Sequence, residues 1–548
     1  MEFYGGVNLI SANLTAEIPL SKKTTLVAAA RRAYTDLYSS WLSDEILSNK
    51  IGQSRNLPLQ ASNAIKPVFY FGDYNLKLTH SISQVENLSF SLYGSNDDLN
   101  SSNKSNDTKA AFNTEDINKW GNFGFGATWR KQWNPNYFTT LQLGHSGYFN
   151  NYFNKTNITS SGNQPPGNFQ APPDSSEINE TNNLTDYFIA FRNEIYLNQK
   201  NLFEFGLSVK FNEFKFYKDA KADFVYNNLK NSSFLYSAFV QDKIVAGGNF
   251  IIKPGFRLNY YGKTNRIYFE PRLAADYKTE SGVVLKIAAG KYFQYLNKSA
   301  TEQTYGYSRD FWVLSDRELH PVVSSNHFIM GASYETKKLF FDVEAYYKTV
   351  SGLQEYLFLQ NPSQKPGEQP GDNLSRFISG KGTALGIDFL AKYENSDFTS
   401  WLAYSLSKAT RNFEEINKGS NIPSAYDQTH EIKWTNIYAY NKWNFSTLSL
   451  YTTGQPYIQY SEKDDDFNET RTYNRLPNYF RIDFSVNYNF NIKKVNIKPG
   501  MSILNVLNTV NYLDVYTRSF DYQNNIINET TLIKAQNLTL NFFVNFRF

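Results

Sequence analysis

The chain of 548 residues contains no cysteine, and no apolar segment in it is long enough to cross a membrane as a helix. Without cysteine, a disulfide framework, a Cys-ligated metal site and thiol chemistry are excluded. A transmembrane helix needs about 20 consecutive, mostly apolar residues, and the mean hydropathy of −0.51 fits the absence of such a run. The formal net charge of +4 is too small to indicate a nucleic-acid partner.

Sequence motifs for catalysis are missing as well. We find no readable Ser/His/Asp grouping, and no glycine-rich phosphate loop that follows a strand and opens a helix. The five histidines are scattered, and the acidic segments lack the alternating ligand spacing of a calcium loop. We therefore predict that the chain is not an enzyme and that it holds no cofactor and no metal ion.

Aromatic residues, in contrast, are abundant: 40 Tyr, 44 Phe and 8 Trp make up 17% of the chain. Many of them alternate with polar residues, most clearly over residues 536–548. One parity of this segment carries Leu538, Leu540, Phe542, Val544, Phe546 and Phe548. The other parity is polar except for Phe543. A period of two indicates a strand with one apolar and one polar face.

The same alternation recurs along the whole chain, and two kinds of connection take turns between the strands. Short turns are expected near 21–23, 83–86, 133–136, 198–200, 246–248, 278–281, 336–338, 394–397, 440–442 and 491–494. Mostly long, polar loops are expected near 36–68, 100–116, 151–183, 218–231, 298–325, 353–381, 412–428, 455–477 and 511–535, with a short member near 262–265. This segregation is typical of an outer-membrane barrel. A soluble β-sandwich, the alternative for one amphipathic strand, has no reason to separate loop lengths in this way.

The number of strands indicates the size of the barrel. From Val7 to Phe548 we count 21 strands, and single-chain bacterial barrels have even strand numbers. We therefore predict an all-β, transmembrane, antiparallel up-and-down barrel of 22 strands. Its first strand is expected to be truncated, with Met1–Gly5 as a stub and Gly5-Gly6 as a tight first loop. A barrel of this size has a lumen wide enough to need a plug.

Several short segments follow one another in a distinctive order and spacing. They are Gly5–Leu20 and Ala30–Asp36 near the start, and Gly380–Leu390, Trp401–Ala409, Tyr426–Glu431, Thr453–Tyr457, Arg475–Tyr479, Arg481–Asp483 and Ile503–Asn508 later on. Together they resemble the TonB-dependent outer-membrane receptors, particularly those of the Bacteroidota type. The resemblance extends over the chain, although its middle rests mainly on periodicity. It implies a single outer-membrane barrel domain over residues 1–548.

The resemblance also implies a function and partners. Such receptors take up scarce nutrients, for example a metal chelate, cobalamin, a glycan or a peptide. A plug domain inside the barrel is rearranged by the TonB–ExbB–ExbD complex. The implied partners are outer-membrane lipid, a plug supplied in cis or in trans, that complex, and an extracellular nutrient or a surface lipoprotein.

The family's plug and energy-coupling segment are not found in this sequence, and residues 1–6 do not resemble a signal peptide. We therefore expect the natural chain to begin upstream of Met1. Two alternatives to a nutrient receptor remain open at this point. One is a plugless structural or scaffold barrel of a surface complex, and the other is a passive diffusion porin.

Arg31 and Arg32 are neighbours on a predicted strand, so alternation sends one of them into the lumen. That arginine could meet carboxylates of the plug or the substrate, with Asp36 near the upper end of the strand. The interpretation that we favour is an arginine of the wall that pairs with neighbouring acids. The outward arginine must lie near an interface, because arginine at the bilayer midplane costs ~2–4 kcal/mol.

The predicted loop 298–325 brings together Tyr305, Tyr307, Arg309, Phe311 and Trp312. Aromatic residues and arginine are frequent anchors of binding surfaces, so this cluster is our candidate for substrate contact. In the alternative that we favour, these aromatic residues order their own loop or extend the interfacial girdle.

Overall fold

The computed structural model describes residues 1–47, 68–101, 103–106, 110–160, 175–220, 227–302, 308–358, 375–463, 468–522 and 525–548. Over these residues the chain forms a closed antiparallel β-barrel with 22 strands in its wall. This confirms the predicted fold class and strand number. Within the same residues, no helix is long and apolar enough to span a membrane.

The elements of the first half are β1 (Glu2–Asn8), β2 (Ser11–Ser21), β3 (Thr24–Ala33), α1 (Trp41–Leu47), β4 (Val68–Ser83), β5 (Glu86–Asn100), β6 (Asn103–Asn106), β7 (Ala110–Asn134), β8 (Tyr137–Ser160), β9 (Ser175–Asn198), β10 (Asn201–Ala220), β11 (Asn227–Ala246), β12 (Phe250–Tyr261), β13 (Arg266–Lys278) and β14 (Val283–Gln294).

The second half continues with β15 (Leu296–Glu302), β16 (Ser308–Leu314), β17 (Val323–Glu335), β18 (Leu339–Phe358), β19 (Ser375–Glu394), β20 (Phe398–Asn412), β21 (Ile422–Pro423), β22 (His430–Tyr440), β23 (Trp443–Thr452), β24 (Pro456–Lys463), β25 (Glu469–Arg475), β26 (Tyr479–Tyr488), β27 (Phe490–Ile492), β28 (Val495–Leu504), β29 (Tyr512–Tyr522), β30 (Asn525–Lys534) and β31 (Thr539–Arg547), with a short 3-10 helix at Asn417–Gly419. The short β6, β21 and β27 pair onto the wall, whereas β15–β16, β24–β25 and β29–β30 form separate hairpins.

The alternating side chains give the wall an apolar outer face. Leu143, Leu207 and Phe328 lie on different strands and leave 44%, 62% and 52% of their surface exposed. Exposed apolar side chains on one parity form the lipid-facing band of an outer-membrane barrel, and the other parity faces the lumen. The strand register therefore tells which side chains point inward.

Aromatic rings mark the two edges of the apolar band. Phe125, His145, Tyr187, Phe211 and Phe234 lie on five successive strands, with ring centroids 5.4, 4.5, 6.5 and 4.8 Å apart. We call these five residues the outer girdle. A second set of rings lies near the short turns and includes Trp133, Tyr137, Tyr440, Trp443, Tyr488 and Phe548. Two such belts are expected at the two membrane interfaces.

All ten short turns are confirmed at their predicted places. Several use residues that adopt a left-handed backbone at low cost: Gly247 and Gly248 have φ angles of 61° and 80°, and Asn441 has a φ of 53°. The short connection predicted near 262–265 is also confirmed, because β12 and β13 are joined there. The end of the barrel with the short turns is the periplasmic end.

The predicted first loop at Gly5-Gly6 is wrong, and the first strand is longer than the predicted stub. Both glycines lie inside β1, opposite Phe546 and Asn545 of β31. The side chains of these two residues fill the space that a Cβ atom would need, so glycine permits close packing here. The bend lies at residues 9–10, where the Asn8 carboxamide oxygen accepts two backbone N–H bonds of 2.8 and 2.9 Å.

The barrel closes between its first and last strands. β1 pairs with β31 up to Asn8, which lies opposite Phe543. β31 continues above this point, and α1 covers that part of its edge. Trp41 donates its indole N–H to the Leu540 carbonyl at 2.8 Å. A helix over an exposed strand edge protects it from pairing with another chain.

Several predicted long loops are wrong in extent, because the strands continue far above the membrane. The segments 100–116, 151–183, 218–231 and 353–381 contain the ends of β7–β11, β18 and β19. β7 alone has 25 residues, whereas about 9–11 residues cross a bilayer. These ends do not face lipid, so they lack the apolar parity that reveals the membrane-spanning part of a strand.

The extracellular rim is uneven in height. β7–β11, β18 and β19 have 20 to 25 residues each. Between them, β12, β13, β14 and β17 have only 12 or 13. The four shorter strands leave a notch in the rim, and we refer to the longer strands on either side as the tall wall.

Candidate functional site

An aromatic strip runs along the inside of the barrel from β4 to the tall wall. Phe69 and Phe71 lie on β4, on the face opposite to that of the exposed, outward-facing Tyr74, so their side chains point into the lumen. Their ring centroids are 5.9 Å apart. Trp120 of β7 stacks on Phe69 at 6.0 Å with an interplanar angle of 19°. Trp120 precedes Phe125 of the outer girdle on a strand that runs down toward a periplasmic turn. The strip therefore lies on the extracellular side of the apolar band.

Amide side chains continue this strip along the next two strands. Trp120 lies opposite Asn150 of β8, and Asn150 lies opposite Asn182 of β9. Asn150 Nδ2 donates to Asn118 Oδ1 at 3.0 Å. An amide offers two donors and one acceptor, so the row presents both kinds of hydrogen-bonding group beside an aromatic face.

Two tyrosines of β8 complete the surface on the parity of Asn150. The Tyr152 hydroxyl donates to Asp116 Oδ2 at 3.4 Å, and Asn154 Nδ2 donates to the same oxygen at 3.2 Å. We call the resulting surface the inner-wall patch; its members are Asn118, Trp120, Tyr148, Asn150, Tyr152 and Asn182.

Asn182 is the most buried member of the inner-wall patch, with 3% of its surface exposed. Its Oδ1 has no hydrogen-bond partner among the residues that the structure describes. A buried acceptor without a partner costs about 1–3 kcal/mol. This oxygen is itself buried, so a molecule in the lumen reaches it only when the side chains that cover it shift.

Two carboxyl groups, those of Asp97 and Asp116, lie beside the patch. Asp97 lies opposite Trp120 in the register, and burial together with the charge of Asp73 raises its pKa. A raised pKa means that the folded protein opposes the charged form of Asp97.

Basic residues are placed at the margin of the patch. The strand register puts no Lys or Arg of the described residues in the row of Trp120, Asn150 and Asn182. In the next row, Lys218 of β10 lies opposite Glu180 of β9. The central row therefore combines aromatic and amide groups without a cation.

Arg31 lies at the far end of the aromatic strip, on the lumen parity of β3. Its guanidinium pairs with Asp73 at 2.7 Å and lies over the Phe71 ring at 5.0 Å from the centroid. This geometry agrees with the interpretation of a wall arginine that pairs with a neighbouring acid. Contact between Arg31 and the plug or the substrate stays a prediction.

Arg32 lies on the outward parity, away from Arg31. It pairs with Asp36 at 2.8 Å and lies over the Tyr70 ring at 5.5 Å from the centroid. An aromatic ring and a carboxylate at the top of the strand are surroundings that fit an interfacial arginine. The predicted contact of Arg32 and Asp36 with a plug also remains untested.

The predicted aromatic loop cluster is described only in part. Tyr305 and Tyr307 lie outside the described residues. Arg309 and Phe311 lie on β16, which pairs with β15, and the structure describes their backbone alone. Trp312, on the same strand, is half-buried and packs against an apolar cluster. Its burial agrees with the interpretation that the aromatic residues order their own segment, and substrate contact stays a prediction.

This apolar cluster joins the hairpin β15–β16 to the lumen side of the tall wall. Its members are Phe214, Phe216, Val313 and Leu314, with Leu184, Leu229, Leu296, Trp312 and Phe377 packed against it. Leu184 lies opposite Tyr148 in the register. The hairpin that carries the predicted Trp312 thus borders the inner-wall patch.

The base of the same hairpin is fixed to the short connection after β12. The Tyr261 hydroxyl donates to the Ser315 carbonyl at 3.0 Å, and Arg317 Nε donates to the Thr264 carbonyl at 2.5 Å. The hairpin touches β18 on one side and β9–β11 on the other. It therefore stands above the notch in the rim.

The hairpin β24–β25 is anchored by buried charges. Arg471, with 5% of its surface exposed, bonds Glu355 of β18 and Glu469 of its own strand at 2.8 Å each. Arg411 of β20 bonds the other oxygen of Glu355 at 2.7 Å. Burial opposes the charge of Arg471, but the hydrogen bonds and charges of the two glutamates outweigh it and raise the pKa of Arg471.

A β-bulge turns Glu355 toward the lumen. The register of β18 and β19 shifts between Ser351 and Leu353, and Gly352 between them has a φ of 80°. An extra residue in one strand reverses the inward and outward parity beyond it. Glycine adopts this left-handed backbone without the steric cost of a side chain.

The sequence predictions do not include the inner-wall patch. Its residues lie within or close to segments that we predicted as long loops. One pattern could have revealed it, because Tyr148, Asn150, Tyr152 and Asn154 alternate Tyr and Asn on a single parity. Asn182 carries no such pattern, and its burial follows from tertiary structure alone.

The chemistry of the site is that of binding. Among the described residues, no three His, Asp or Glu side chains are grouped so that they could hold a metal ion. The inner-wall patch offers ring faces, amides and hydroxyls, and the carboxyl groups of Asp97 and Asp116 lie beside it. Such groups stack and hydrogen-bond, and a concave site with a few placed polar groups is typical of small-molecule recognition.

Comparison with solved structures finds the same fold in outer-membrane transporters. FpvA of Pseudomonas aeruginosa, solved with heterologous pyoverdines, is 11% identical with a TM-score of 0.66 over 100% of this chain and 71% of FpvA. The transporter YddB of Escherichia coli is 9% identical with a TM-score of 0.66, and the match covers 100% of this chain and 80% of YddB. The FrpB iron transporter of Neisseria meningitidis is 10% identical with a TM-score of 0.64, and the match covers 100% of this chain and 81% of FrpB.

Comparison with curated proteins finds no match. The family described as "TonB dependent receptor-like, beta-barrel" matches residues 68–516, which is most of the chain. The closed wall of 22 antiparallel strands agrees with this match. The chain therefore belongs to the TonB-dependent receptors and forms the β-barrel of that family.

Proposed function

We propose that this barrel takes up a scarce extracellular nutrient in an energy-dependent manner. Members of its family lie in the Gram-negative outer membrane, interact with TonB and bind extracellular nutrients. The observation that carries the proposal is the inner-wall patch. It is a surface of ring faces and amides inside the lumen, on the extracellular side of the apolar band, where an entering nutrient meets it first.

In this proposal the nutrient binds between the inner-wall patch and the hairpin β15–β16. A plug, supplied in cis upstream or in trans, blocks the wide lumen below. The TonB–ExbB–ExbD complex rearranges the plug, and the nutrient then passes to the periplasm. FpvA was solved with pyoverdines and FrpB is an iron transporter, so a metal chelate is one candidate nutrient beside a glycan, cobalamin or a peptide.

Gene deletion in the source bacterium tests this proposal. We expect the deletion to slow growth on one limiting nutrient, and the wild-type gene to restore it only in cells with functional TonB. The Asn150→Ala variant should restore growth less well. Asn151→Ala is the matched control, because Asn151 is the next residue on the same strand and has the opposite parity.

Two results would contradict nutrient uptake driven by TonB. Restoration without TonB, together with open-channel conductance of the full-length protein in planar bilayers, would indicate a passive porin. Normal growth on every nutrient, together with a stable complex with a surface lipoprotein, would indicate a scaffold barrel.

A further inference from the structure

We infer that the inner-wall patch binds a neutral, polyhydroxylated ligand, namely an oligosaccharide without carboxylate, sulfate or phosphate groups. This inference rests on the proposed uptake function and names its substrate class. Three properties of the patch carry it: the aromatic faces, the amide row and the distribution of charge.

The aromatic faces suit the apolar side of a sugar ring. Trp120 and Phe69 are nearly parallel, with an interplanar angle of 19°, and Tyr148 and Tyr152 follow on the lumen parity of β8. One face of a pyranose carries several C–H groups, which pack against the electron-rich face of an aromatic ring. Ring faces distributed over neighbouring strands match a chain of several sugar units better than a single compact molecule.

The amides suit the hydroxyl groups at the edge of the same ring. A sugar hydroxyl both donates and accepts a hydrogen bond, and so does a carboxamide. Asn182 Oδ1 is buried and has no partner among the described residues, so a sugar hydroxyl would satisfy it once the side chains that cover it shift. Asn150 Nδ2 already bonds Asn118, which holds the Asn150 amide in a fixed orientation for a ligand.

The charges favour a neutral ligand over an anionic one. Asp97 flanks Trp120 in the central row, Asp116 bonds Tyr152 and Asn154, and no Lys or Arg of the described residues shares that row. An anionic chelate would meet like charge in the central row, because the nearest cations of the lumen parity, Arg31 and Lys218, lie at its margins opposite Asp73 and Glu180. Sugar hydroxyls, in contrast, donate hydrogen bonds to carboxylates.

The test is binding of the purified full-length receptor to an array of neutral and acidic oligosaccharides, followed by calorimetry with the neutral glycan retained best. Asn150→Ala and Trp120→Ala should weaken binding roughly two- to tenfold, as expected for the loss of one ligand contact. Asn151→Ala should bind like the wild type. Trp120→Phe keeps a ring face and should recover part of the loss, which separates stacking from misfolding.

The inference would be overturned if the receptor retained only acidic glycans or no glycan at all. It would also be overturned if the Asn150→Ala and Trp120→Ala variants bound the neutral glycan as tightly as the wild type does. Ferric citrate, an anionic metal chelate, serves as the competing probe. If ferric citrate binds and supports TonB-dependent growth, the substrate class is wrong and the uptake function stands. If a neutral glycan binds but deletion leaves growth on that glycan unchanged, the uptake function fails and the binding site stands.

Discussion

The two hairpins at the rim are held in different ways. The hairpin β15–β16 stands above the notch and joins the tall wall through Phe214, Phe216, Val313 and Leu314. The hairpin β24–β25 lies against β18, where Arg471 inserts between Glu355 and Glu469 and Tyr473 packs against a second apolar cluster. Apolar contact is not directional, whereas paired guanidinium and carboxylate groups fix both distance and angle.

This difference indicates different roles for the two hairpins. Above its hydrogen-bonded base, the apolar packing of β15–β16 tolerates small shifts, and this hairpin borders the inner-wall patch. A buried ionic network has one favourable geometry, and breaking it leaves unpaired buried charge. We therefore expect β24–β25 to be a fixed part of the rim and β15–β16 to adjust when a ligand binds.

The largest expected effect follows from Arg471→Met. This change leaves Glu355 with one of its two arginine partners and removes the guanidinium that pairs with the buried Glu469, which costs about 3–5 kcal/mol. Hydrogen exchange of residues 469–475, followed by mass spectrometry on the full-length protein, should accelerate by roughly a hundredfold or more. Exchange of β15–β16 should stay unchanged.

Arg192→Met is the matched control for this experiment. Arg192 also pairs with two glutamates, but its side chain is 51% exposed, and an exposed pair contributes about 0–1 kcal/mol. If Arg471→Met altered exchange no more than Arg192→Met does, the buried network would not anchor the hairpin.

A smaller effect is expected for Leu314→Ala. Leu314 has 1% of its surface exposed, and truncating a buried leucine typically costs about 2–5 kcal/mol. Protection from hydrogen exchange should fall in β16 and remain in β25. Leu319→Ala, at a position with 61% exposure, should change stability by about 0.5 kcal/mol at most. Equal loss of protection in both hairpins would show that they are not independent.

The smallest expected effect is a response to pH, which should be larger near the hairpin β15–β16 than in the hairpin β24–β25. His320 lies in the connection that follows β16, near Asp316 and Lys263, and its buried ring contacts Phe377. Burial lowers the pKa of His320, so the unfolded segment binds a proton more readily than the folded one. The contribution of His320 to the stability of this segment is therefore fully present above the pKa of the unfolded histidine. It is lost as the pH falls from that value through the lower pKa of the folded state.

Lowering the pH from about 7.5 to 5.5, across the ordinary histidine range, should accelerate hydrogen exchange in residues 308–320 after correction for the intrinsic rate. The hairpin β24–β25 should respond less, because its anchor is an arginine paired with glutamates. His320→Gln should remove the pH response of residues 308–320. A response that persists in this variant would assign it to another group.

The sequence predicted the membrane-spanning part of the barrel well, and the physical reason is the lipid. Lipid requires an apolar parity on every strand, and the short periplasmic turns require particular residues such as Gly247 and Asn441. Above the membrane neither requirement holds. The upper ends of β7–β9 were therefore wrongly predicted as loops, because a strand without an apolar face has the composition of a loop. Gly5 and Gly6 of β1 were wrongly predicted as a turn, because the sequence does not show that their neighbours leave no room for a side chain.

The candidate site was predicted less well. Arg31 and Trp312 were identified because arginine and tryptophan are conspicuous in a sequence, and both lie beside the lumen surface described above. The amides of Asn150 and Asn182 were not identified, because the sequence contains many asparagines. What distinguishes these two is their place in the register, and Asn182 in addition owes its burial to tertiary packing.

The most direct test of the central claim uses single cysteines in this cysteine-free chain. N150C and N151C variants of the full-length receptor are labelled on intact cells with a membrane-impermeant maleimide, with and without the bound oligosaccharide. We predict that the ligand slows labelling of N150C and leaves N151C unchanged, because adjacent residues of a strand face opposite sides of the wall. Equal protection of both variants, or of neither, would contradict a binding site on the inner wall.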